Sequence, residues 1–290
     1  MKPANFEYFA PVTVSEALEL LASKAPDARI LAGGQSLVPM MNFRLARPTV
    51  LIDINKIQDL TYITEDSNYI SIGAMTRERE IENSEIIITS CPILHEATLN
   101  IAHLPIRSRG TIGGSIVNAD PAAEYPATVL ALNAKLIAKS IRGKREISAS
   151  SFFKGVLTTA LESDEMLTEI IVPKSKSSTG AAFVEIARRH GDYALVGVCA
   201  VIGLKNGVVS EVRVSACGVA EGPIRLTKTE NLLVGAMITE ENMLSARFMA
   251  MSEVEPGTDA HATSAYRRKI LGVLIEKAVQ KALARAKGFQ

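Results

Sequence analysis

The sequence lacks several features that mark common classes of protein. Tryptophan is absent, and three of the 290 residues are cysteine: Cys91, Cys199 and Cys217. Their odd number, wide spacing and lack of a Cys-x-x-Cys pair indicate a reducing compartment. The same features argue against a disulfide framework and against a zinc or iron–sulfur site built from this chain alone. We therefore expect a cytoplasmic protein that holds no metal of its own.

Excess charge and long apolar runs are also missing. The 32 basic and 31 acidic residues leave a formal net charge of +1, which gives no electrostatic case for binding nucleic acid. No run of 18 apolar residues occurs, so no membrane span is expected. The first residues, 1–7, lack the apolar core of a signal peptide. With 47% hydrophobic residues, the chain is expected to be globular, with room for two or three domains.

Two glycine pairs are the main positive signal. Residues 32–37 read Ala-Gly-Gly-Gln-Ser-Leu after a short apolar run, and residues 111–115 read Thr-Ile-Gly-Gly-Ser. Adjacent glycines let the backbone adopt positive φ and approach a ligand closely, and consecutive N–H groups can form an anion-binding nest. One such pair is more often a simple tight turn. Two similar pairs predict two walls around one diphosphate, with Gln35 and Ser36 as additional side-chain donors.

The phosphate motifs of the most common nucleotide-binding folds are absent. Neither Gly-x-Gly-x-x-Gly after a strand nor Gly-x4-Gly-Lys-Ser/Thr occurs. A diphosphate held by two distant loops would instead leave a dinucleotide extended between subdomains.

Hydrophobic periodicity predicts an α+β chain in three parts, covering residues 1–55, 56–176 and 177–290. The first is a small α/β layer whose helix is capped by Thr13 or Ser15. The second contains a hairpin and further strands and helices, and a polar linker at 174–180 follows it. In the third, Asn206-Gly207 predicts a hairpin within a three-stranded antiparallel sheet covered by helices. Predicted strands are 6–9, 28–31, 49–54, 61–64, 69–73, 134–139, 146–148, 166–172, 181–187, 194–204 and 208–216. Predicted helices are one that carries Val14, Ala17, Leu18 and Leu21 and is broken by Pro26-Asp27, followed by 76–81, 92–101, 229–233, 240–252 and 263–286.

These motifs resemble those of one known family, the FAD-binding medium subunits of molybdenum hydroxylases. The resemblance rests on residues 31–39 with 51–54, residues 106–115 with 118–121, and Gly191-Asp192-Tyr193-Ala194, in the same order along nearly the whole chain. The type is similar to the medium chain of aerobic carbon monoxide dehydrogenase and to the flavin domain of xanthine dehydrogenase. It implies a two-subdomain FAD-binding domain of the PCMH/VAO type, followed by a C-terminal sheet-plus-helix domain.

The resemblance also implies which residues contact FAD. The two glycine loops match the family's diphosphate loops, and Glu124 matches an acid that meets ribose or ribityl hydroxyls. Leu161 and Met166 match contacts to the adenine end, Tyr193 lies beside the isoalloxazine ring, and Ile101 lies on the other approach to the cofactor. The full set of expected contacts is Ala32, Gly33, Gly34, Gln35, Ser36, Leu37, Ile101, Thr111, Ile112, Gly113, Gly114, Ser115, Asp120, Glu124, Leu161, Met166 and Tyr193.

Some positions depart from the family pattern or have a simpler interpretation. Ser115 replaces the more usual Asn, Val184 and Glu185 stand where relatives often carry Lys, and His103 lies where relatives vary. Glu124 has the simpler interpretation of a surface carboxylate, although contact with a sugar hydroxyl is favoured over it. Without the resemblance, Tyr193 is interpreted as a core residue with a satisfied hydroxyl. No catalytic residue and no metal ligand are expected in this chain.

The function that the resemblance implies is electron relay. The chain would hold FAD, take electrons from a [2Fe–2S] cluster on a small subunit and pass them to an external acceptor. Hydroxylation would occur on a large subunit carrying molybdenum with molybdopterin cytosine dinucleotide. The expected assembly is an (LMS)2 heterohexamer, with peripheral association to the inner membrane left open. Two alternatives stay open: a self-contained FAD oxidoreductase of the same fold, and a non-redox assembly protein with an empty flavin fold.

Overall fold

A computed structural model describes residues 1–288 of the chain. The N-terminal part is a three-stranded parallel sheet with a helix against it. Its elements are β1 (Glu7–Phe9), α1 (Val14–Lys24), β2 (Ala28–Leu31), α2 (Leu37–Asn42) and β3 (Val50–Asp53). β3 lies between β1 and β2, and its apolar sequence is buried, as expected for a central parallel strand. Thr13, and not Ser15, caps α1: its Oγ1 accepts a hydrogen bond from the Glu16 N–H.

The middle part is built on a five-stranded antiparallel sheet in the order β4-β5-β10-β6-β7. Besides a 3-10 turn (Gln58–Leu60), its elements are β4 (Ile63–Glu65), β5 (Tyr69–Gly73), α3 (Glu78–Glu82), α4 (Glu85–Ser90), α5 (Pro92–Asn100), α6 (Leu104–Arg107), α7 (Ile112–Asn118), α8 (Glu124–Ala131), β6 (Lys135–Ser140), β7 (Gly143–Ser148), α9 (Ala149–Phe152), β8 (Phe153–Gly155), β9 (Thr158–Thr159) and β10 (Met166–Pro173). The predicted hairpin is present as β4–β5. The helices α7 and α8, which carry or follow the second glycine pair, were not predicted.

The C-terminal part is an antiparallel sheet covered by helices. Its elements are β11 (Thr179–Ala187), β12 (Ala194–Lys205), β13 (Val208–Cys217), β14 (Ile224–Arg225), α10 (Thr227–Leu233), α11 (Glu240–Ser252) and α12 (Ser264–Ala286). The three predicted strands are present, and β14 extends the sheet by a short fourth strand. Asn206 and Gly207 form the predicted turn, with φ of 54° and 79°. The predicted third domain runs to residue 290, and its last two residues lie outside the described part.

Helix α8 lies between the middle and C-terminal parts. All eight of its residues are buried, and it contacts β12 and β13. Ser215 Oγ on β13 donates to the carbonyl of Ala127 at 2.6 Å, and Arg213 donates to the carbonyl of Ala131 at 2.7 Å. The α+β class and the order of its parts are therefore confirmed. The predicted domain limits at 55 and 176 stay predictions.

Candidate cofactor site

The two glycine loops lie against each other in space. A Cβ added to Gly33 would lie 2.2 Å from the carbonyl oxygen of Arg109, just before the second loop. One added to Gly114 would lie 3.7 Å from the Cβ of Ala32, which is ordinary contact. Gly33 therefore has no side chain because the backbone of residues 109–110 occupies that space. This close approach brings the two loops to a single site.

The first loop presents an open row of backbone donors. Gly34 adopts φ of 74°, which turns the chain between β2 and α2. Within residues 1–288, the N–H groups of residues 33–37 have no intramolecular hydrogen-bond acceptor. Consecutive free N–H groups at such a turn form an anion nest. The side chain of Gln35 differs from the expectation, because its Nε2 donates to the carbonyl of Gly33 at 2.9 Å and braces the loop itself.

The second loop is closed by comparison. The N–H groups of Ile112 and Gly113 donate to the carbonyls of Thr76 and Ala74, at 3.2 and 2.9 Å. Those of Gly114 and Ser115 donate to the side chain and carbonyl of Thr111, the N-cap of α7, at 3.1 and 3.0 Å. The expected second nest is therefore not formed by these four N–H groups, because α7 begins within the motif and packs onto the end of β5. What this loop offers a ligand is the Ser115 hydroxyl, which has no hydrogen bond among the described residues.

Tyr193 lies beside the first loop, on the segment that joins β11 to β12. Its hydroxyl is near Ser36, and partial burial, followed by the negative charge of Asp120, raises its pKa. Because 62% of Tyr193 is exposed, the interpretation as a core residue is wrong. The segment is supported from behind, since a Cβ on Gly191 would lie 2.4 Å from the ring of His103.

Two carboxyl groups, those of Glu78 and Glu124, are buried near the second loop, and a third, that of Glu185, is partly buried. Glu124, 5% exposed, has its pKa raised to about 8 by burial and by the nearby charge of Glu185. Burial raises the pKa of Glu78 and of Glu185 to about 7 each. The interpretation of Glu124 as a surface carboxylate is therefore wrong. At neutral pH this group is mainly protonated, so it can donate as well as accept a hydrogen bond.

The remaining expected contacts lie in hydrophobic cores. Ile101 belongs to the core of the middle part, and Leu161 packs against that core. Met166 is 2% exposed and packs in the core that Ala32 borders. Asp120 is partly buried and accepts a hydrogen bond from the Ala122 N–H at 2.9 Å. The structure thus gathers the two loops, Asp120, Glu124 and Tyr193, while the three apolar residues line the surrounding cores.

Two polar side chains between the loops, those of Asn55 and Arg77, were not predicted from the sequence. Asn55 donates to the carbonyl of Ala32 at 2.8 Å, and Arg77 donates to the carbonyl of Arg109 and to Asn55. No motif marks them, because each is recognisable only through a partner that is distant in sequence. A pattern of exposed charge would have missed Arg77 as well, since it is partly buried.

A cavity of about 710 Å³ adjoins Tyr193, between the middle and C-terminal parts. Its lining includes residues 120–122, Arg188, residues 191–195, residues 257–259 and His261. Arg267 closes its floor by donating to the carbonyl of Gly218 at 3.1 Å and to Asp259 at 2.6 Å. No group of three or more His, Cys, Asp or Glu side chains is arranged to hold a metal ion anywhere in residues 1–288.

These features fit an anionic, extended dinucleotide. The open row of N–H groups suits a diphosphate, whose oxygens accept hydrogen bonds but cannot donate them when ionised. The Ser36 and Ser115 hydroxyls border the same site, and protonated Glu124 suits a neutral sugar hydroxyl. The chemistry of the donor set therefore agrees with FAD.

Comparison with known proteins gives the same assignment. A family model described as the FAD binding domain in molybdopterin dehydrogenase matches residues 4–175, and one for the CO dehydrogenase flavoprotein C-terminal domain matches residues 181–282. The chain is 39% identical to the 6-hydroxypseudooxynicotine dehydrogenase complex subunit alpha of Paenarthrobacter nicotinovorans, covering 99% of this chain and 97% of that one. It is 37% identical to caffeine dehydrogenase subunit beta of a Pseudomonas species, covering 98% and 97%.

Solved structures agree closely. The carbon monoxide dehydrogenase of Hydrogenophaga pseudoflava, in a form that lacks the Mo-pyranopterin moiety of its cofactor, superposes with a TM-score of 0.96 at 38% identity. The match covers 98% of this chain and 99% of that one. The chain belongs to the family of FAD-binding medium subunits of molybdenum hydroxylases. It is a flavoprotein oxidoreductase component and its cofactor is FAD, which sets aside the non-redox alternative.

Proposed function

We propose that this chain is an electron relay. It takes electrons one at a time from a [2Fe–2S] cluster on a small subunit and passes them in pairs to an external acceptor. FAD supplies the exchange between one-electron and two-electron carriers. The observation that carries the proposal is the open row of N–H groups at residues 33–37, which lies next to Tyr193 through the Ser36 side chain. This row holds a diphosphate while Tyr193 flanks the part of the cofactor that must meet the electron partners.

The residues around the site have distinct proposed roles. The N–H groups of 33–37 and the Ser115 hydroxyl hold the diphosphate, and Asp120 and Glu124 meet the polar groups beyond it. Glu124, with a pKa of about 8, donates a hydrogen bond without placing a negative charge near the phosphates. Tyr193 covers one side of the ring position and limits access of water. Ile101, Leu161 and Met166 give the cofactor an apolar surround.

An exposed apolar patch beside the first loop supports docking of the small subunit. Phe43 and Leu45, 65% and 78% exposed, follow the short helix α2 that begins directly after the loop. Arg44 and Arg47 lie next to them, and Arg44 donates to the carbonyl of Lys2. Within residues 1–288, Arg44 and Arg47 form no ion pair. Such a surface fits a partner that presents carboxylates around an apolar depression, close to the cofactor.

Substrate chemistry belongs to the large subunit in this proposal. Relatives with 39% and 37% identity over nearly the whole chain are named for 6-hydroxypseudooxynicotine and caffeine, which supports placing the choice of substrate outside the flavin chain. The large subunit would carry molybdenum with molybdopterin cytosine dinucleotide, and the complex would be an (LMS)2 heterohexamer. We also propose a cytoplasmic location, supported by three cysteines that are free and buried. The described helices include none long and apolar enough to pass through a bilayer.

The test compares the isolated chain with the reconstituted complex. The isolated chain should be yellow, should be reduced by dithionite and reoxidised by a quinone, and should oxidise no carbon monoxide, aldehyde or purine. Adding the small and large subunits should restore substrate-dependent flavin reduction. Turnover of an organic substrate by the isolated chain would contradict the relay. Light scattering of the reconstituted complex measures its stoichiometry.

The cavity beside Tyr193 favours a second candidate, a self-contained FAD oxidoreductase. Its volume of about 710 Å³ is sufficient for a small organic molecule. In that case a bulky substitution of Ala122, on the wall of the cavity, would raise the KM of the isolated chain for its substrate. The relay predicts no such activity to measure.

A further inference from the structure

The two glycine loops are joined by a continuous chain of hydrogen bonds. Asn55 Nδ2 donates to the carbonyl oxygen of Ala32 at 2.8 Å, and Asn55 Oδ1 accepts from Arg77 at 2.7 Å. The Arg77 guanidinium also donates to the carbonyl oxygen of Arg109. That carbonyl is the group that faces Gly33 at the closest approach of the loops. The bridge therefore links the entry of the first loop to the segment just before the second.

The orientation of Asn55 within this bridge is fixed by its neighbours. Asp53 Oδ1 accepts from the backbone N–H of Asn55 at 2.9 Å and from its Nδ2 at 2.5 Å. Both Nδ2 protons thus face acceptors, and Oδ1 faces the Arg77 donor, so a flipped amide would lose every partner. Tyr8 donates to Asp53 Oδ2 at 2.6 Å. Burial opposes ionisation of Asp53, but the hydrogen bonds from Tyr8 and Asn55 outweigh it and keep its pKa below the usual range.

Arg77 is itself held against the second loop by its backbone. Glu78 N–H donates to the carbonyl of Gly110 at 3.0 Å, and Ile112 N–H donates to that of Thr76 at 3.2 Å, so residues on both sides of Arg77 pair with the start of the loop. Burial lowers the pKa of Arg77, and the opposing negative charge of Glu80 offsets only part of that shift. An arginine stays protonated in such a setting. Removing the side chain would leave the Arg109 carbonyl and Asn55 Oδ1 without this donor.

We propose that Asn55 and Arg77 are positioning residues that set the separation of the two loops, and through it the span available to the FAD diphosphate. The inference rests on the proposed diphosphate site. Neither side chain needs to touch the cofactor. Their effect is geometric, because a supporting hydrogen-bond network must hold binding groups to within a fraction of an ångström for a rigid ligand to meet all of them.

The test uses the full-length chain after removal of FAD. Arg77→Met removes the bridge, Arg77→Lys keeps the charge but offers a single point donor, and Asn55→Ala cuts the chain of bonds on the other side. Arg79→Met is the matched control, because Arg79 is 43% exposed at its side chain and pairs with Glu82 on the same helix. Three probes are titrated by flavin fluorescence or by competition: FAD, ADP, which carries the diphosphate, and riboflavin, which has no phosphate.

Arg77→Met and Asn55→Ala should each weaken FAD and ADP by about 10- to 100-fold, the range for loss of a hydrogen bond to a charged group. Riboflavin should change by less than about twofold, as should all three probes in Arg79→Met. Arg77→Lys should fall between wild type and Arg77→Met. A purely structural role would instead weaken all three probes alike, in parallel with a lower Tm of the FAD-free chain, and that result would overturn the proposal.

A further variant separates this proposal from the site on which it rests. Gly34→Ala alters the nest itself without touching the bridge. If it weakens ADP binding while the Arg77 and Asn55 variants bind normally, the site stands and the bridge is refuted. If neither kind of variant affects ADP, the diphosphate lies elsewhere and both proposals fail. Should Arg77→Met not fold, Arg77→Lys and Asn55→Ala decide the question in the same assay.

Discussion

The first glycine loop leaves its N–H groups free for a ligand, whereas the second uses the corresponding groups inside the protein. Residues 33–37 have no internal acceptor within the described chain, while residues 112–115 donate to Thr76, Ala74 and Thr111. The glycines differ in the same way. Gly34 serves a positive φ, but Gly33 and Gly113 serve close contact with neighbouring backbone.

This difference shows that one short motif performs two physical tasks in the same chain. The second loop is the rigid support, fixed to the end of β5 by backbone hydrogen bonds. In our proposal the first loop is the binding surface, and it contacts that support through Gly33. Mutations in the second loop should therefore mainly lower stability, and mutations in the first loop should mainly lower FAD affinity.

The largest effect is expected where the loops touch. Gly33→Ala places a Cβ 2.2 Å from the Arg109 carbonyl, which is backbone and cannot rotate away. Separating the loops should lower the free energy of unfolding by about 3 kcal/mol and abolish FAD binding. Thermal unfolding and flavin absorbance measure both. Gly222→Ala is the control, because nothing lies within 4 Å of its added Cβ. A stable, yellow Gly33→Ala variant would disprove the contact.

The next effect concerns the buried carboxyl behind the second loop. The pKa of Glu124 is raised from 4.5 to about 8, so the folded chain binds this proton more tightly than the unfolded chain does. Stability from this group is therefore complete below about pH 4.5 and is lost as the pH rises to about 8. Glu124→Gln should remove about 2 kcal/mol of the stability loss between pH 6 and pH 8. Urea unfolding at both pH values checks this, and an unchanged pH slope would contradict it.

A smaller effect distinguishes the two glycine pairs directly. Gly113→Ala directs a Cβ at the Ala74 carbonyl, 2.5 Å away, and should destabilise the FAD-free chain by about 2 kcal/mol. Gly34→Ala forces alanine to a φ of 74° and should cost about 1 kcal/mol. For each kcal/mol of stability lost, FAD affinity should fall more for Gly34→Ala than for Gly113→Ala. Calorimetry of the FAD-free chain measures the loss of stability, and flavin titration measures the loss of affinity. If the ratio of the two losses is equal in both variants, the two loops do not differ in role.

The smallest effect concerns the free hydroxyl of the second loop. Ser115→Ala should leave the Tm unchanged and weaken FAD by about fivefold, the equivalent of about 1 kcal/mol for one hydrogen bond. Ser115→Asn, which introduces the residue more usual in the family, should bind at least as well as wild type. A drop in Tm for Ser115→Ala would show that the hydroxyl is used internally instead.

The parts of the fold that the sequence predicts well depend on local signals. Asn206-Gly207 defines its hairpin through positive φ, and the apolar run of β3 reports a strand buried on both faces. Helices α7 and α8 were not predicted, because their local sequence signals disfavour a helix. A glycine pair in α7 disfavours a helix, and Pro126 lies inside α8, where it is tolerated because the first turn needs no N–H donor. Burial of every residue of α8 also removes its amphipathic period.

In the candidate site, too, the features marked by local sequence motifs were predicted and those set by tertiary packing were not. The glycine motifs identified both loops as candidates, and the family resemblance added Tyr193 and Glu124. The motifs, however, implied two equivalent anion nests. What closes the second loop is a set of carbonyls on Ala74 and Thr76, whose distance from the loop is a property of tertiary packing. Asn55 and Arg77 were missed for the same reason, since each acquires its role only when the two loops meet.

Helix α8 gives the linker after β10 an unexpected meaning. A chain cut within residues 174–178 would not release an autonomous flavin module, because the buried helix α8 would lose the cover of β12 and β13 and its hydrogen bonds from Arg213 and Ser215. Glu124, at the first turn of that helix, would then be exposed to water and would ionise beside the proposed diphosphate site. The proposed cofactor pocket thus depends on the C-terminal sheet for its structure. Fragments that end before this sheet should be insoluble or colourless.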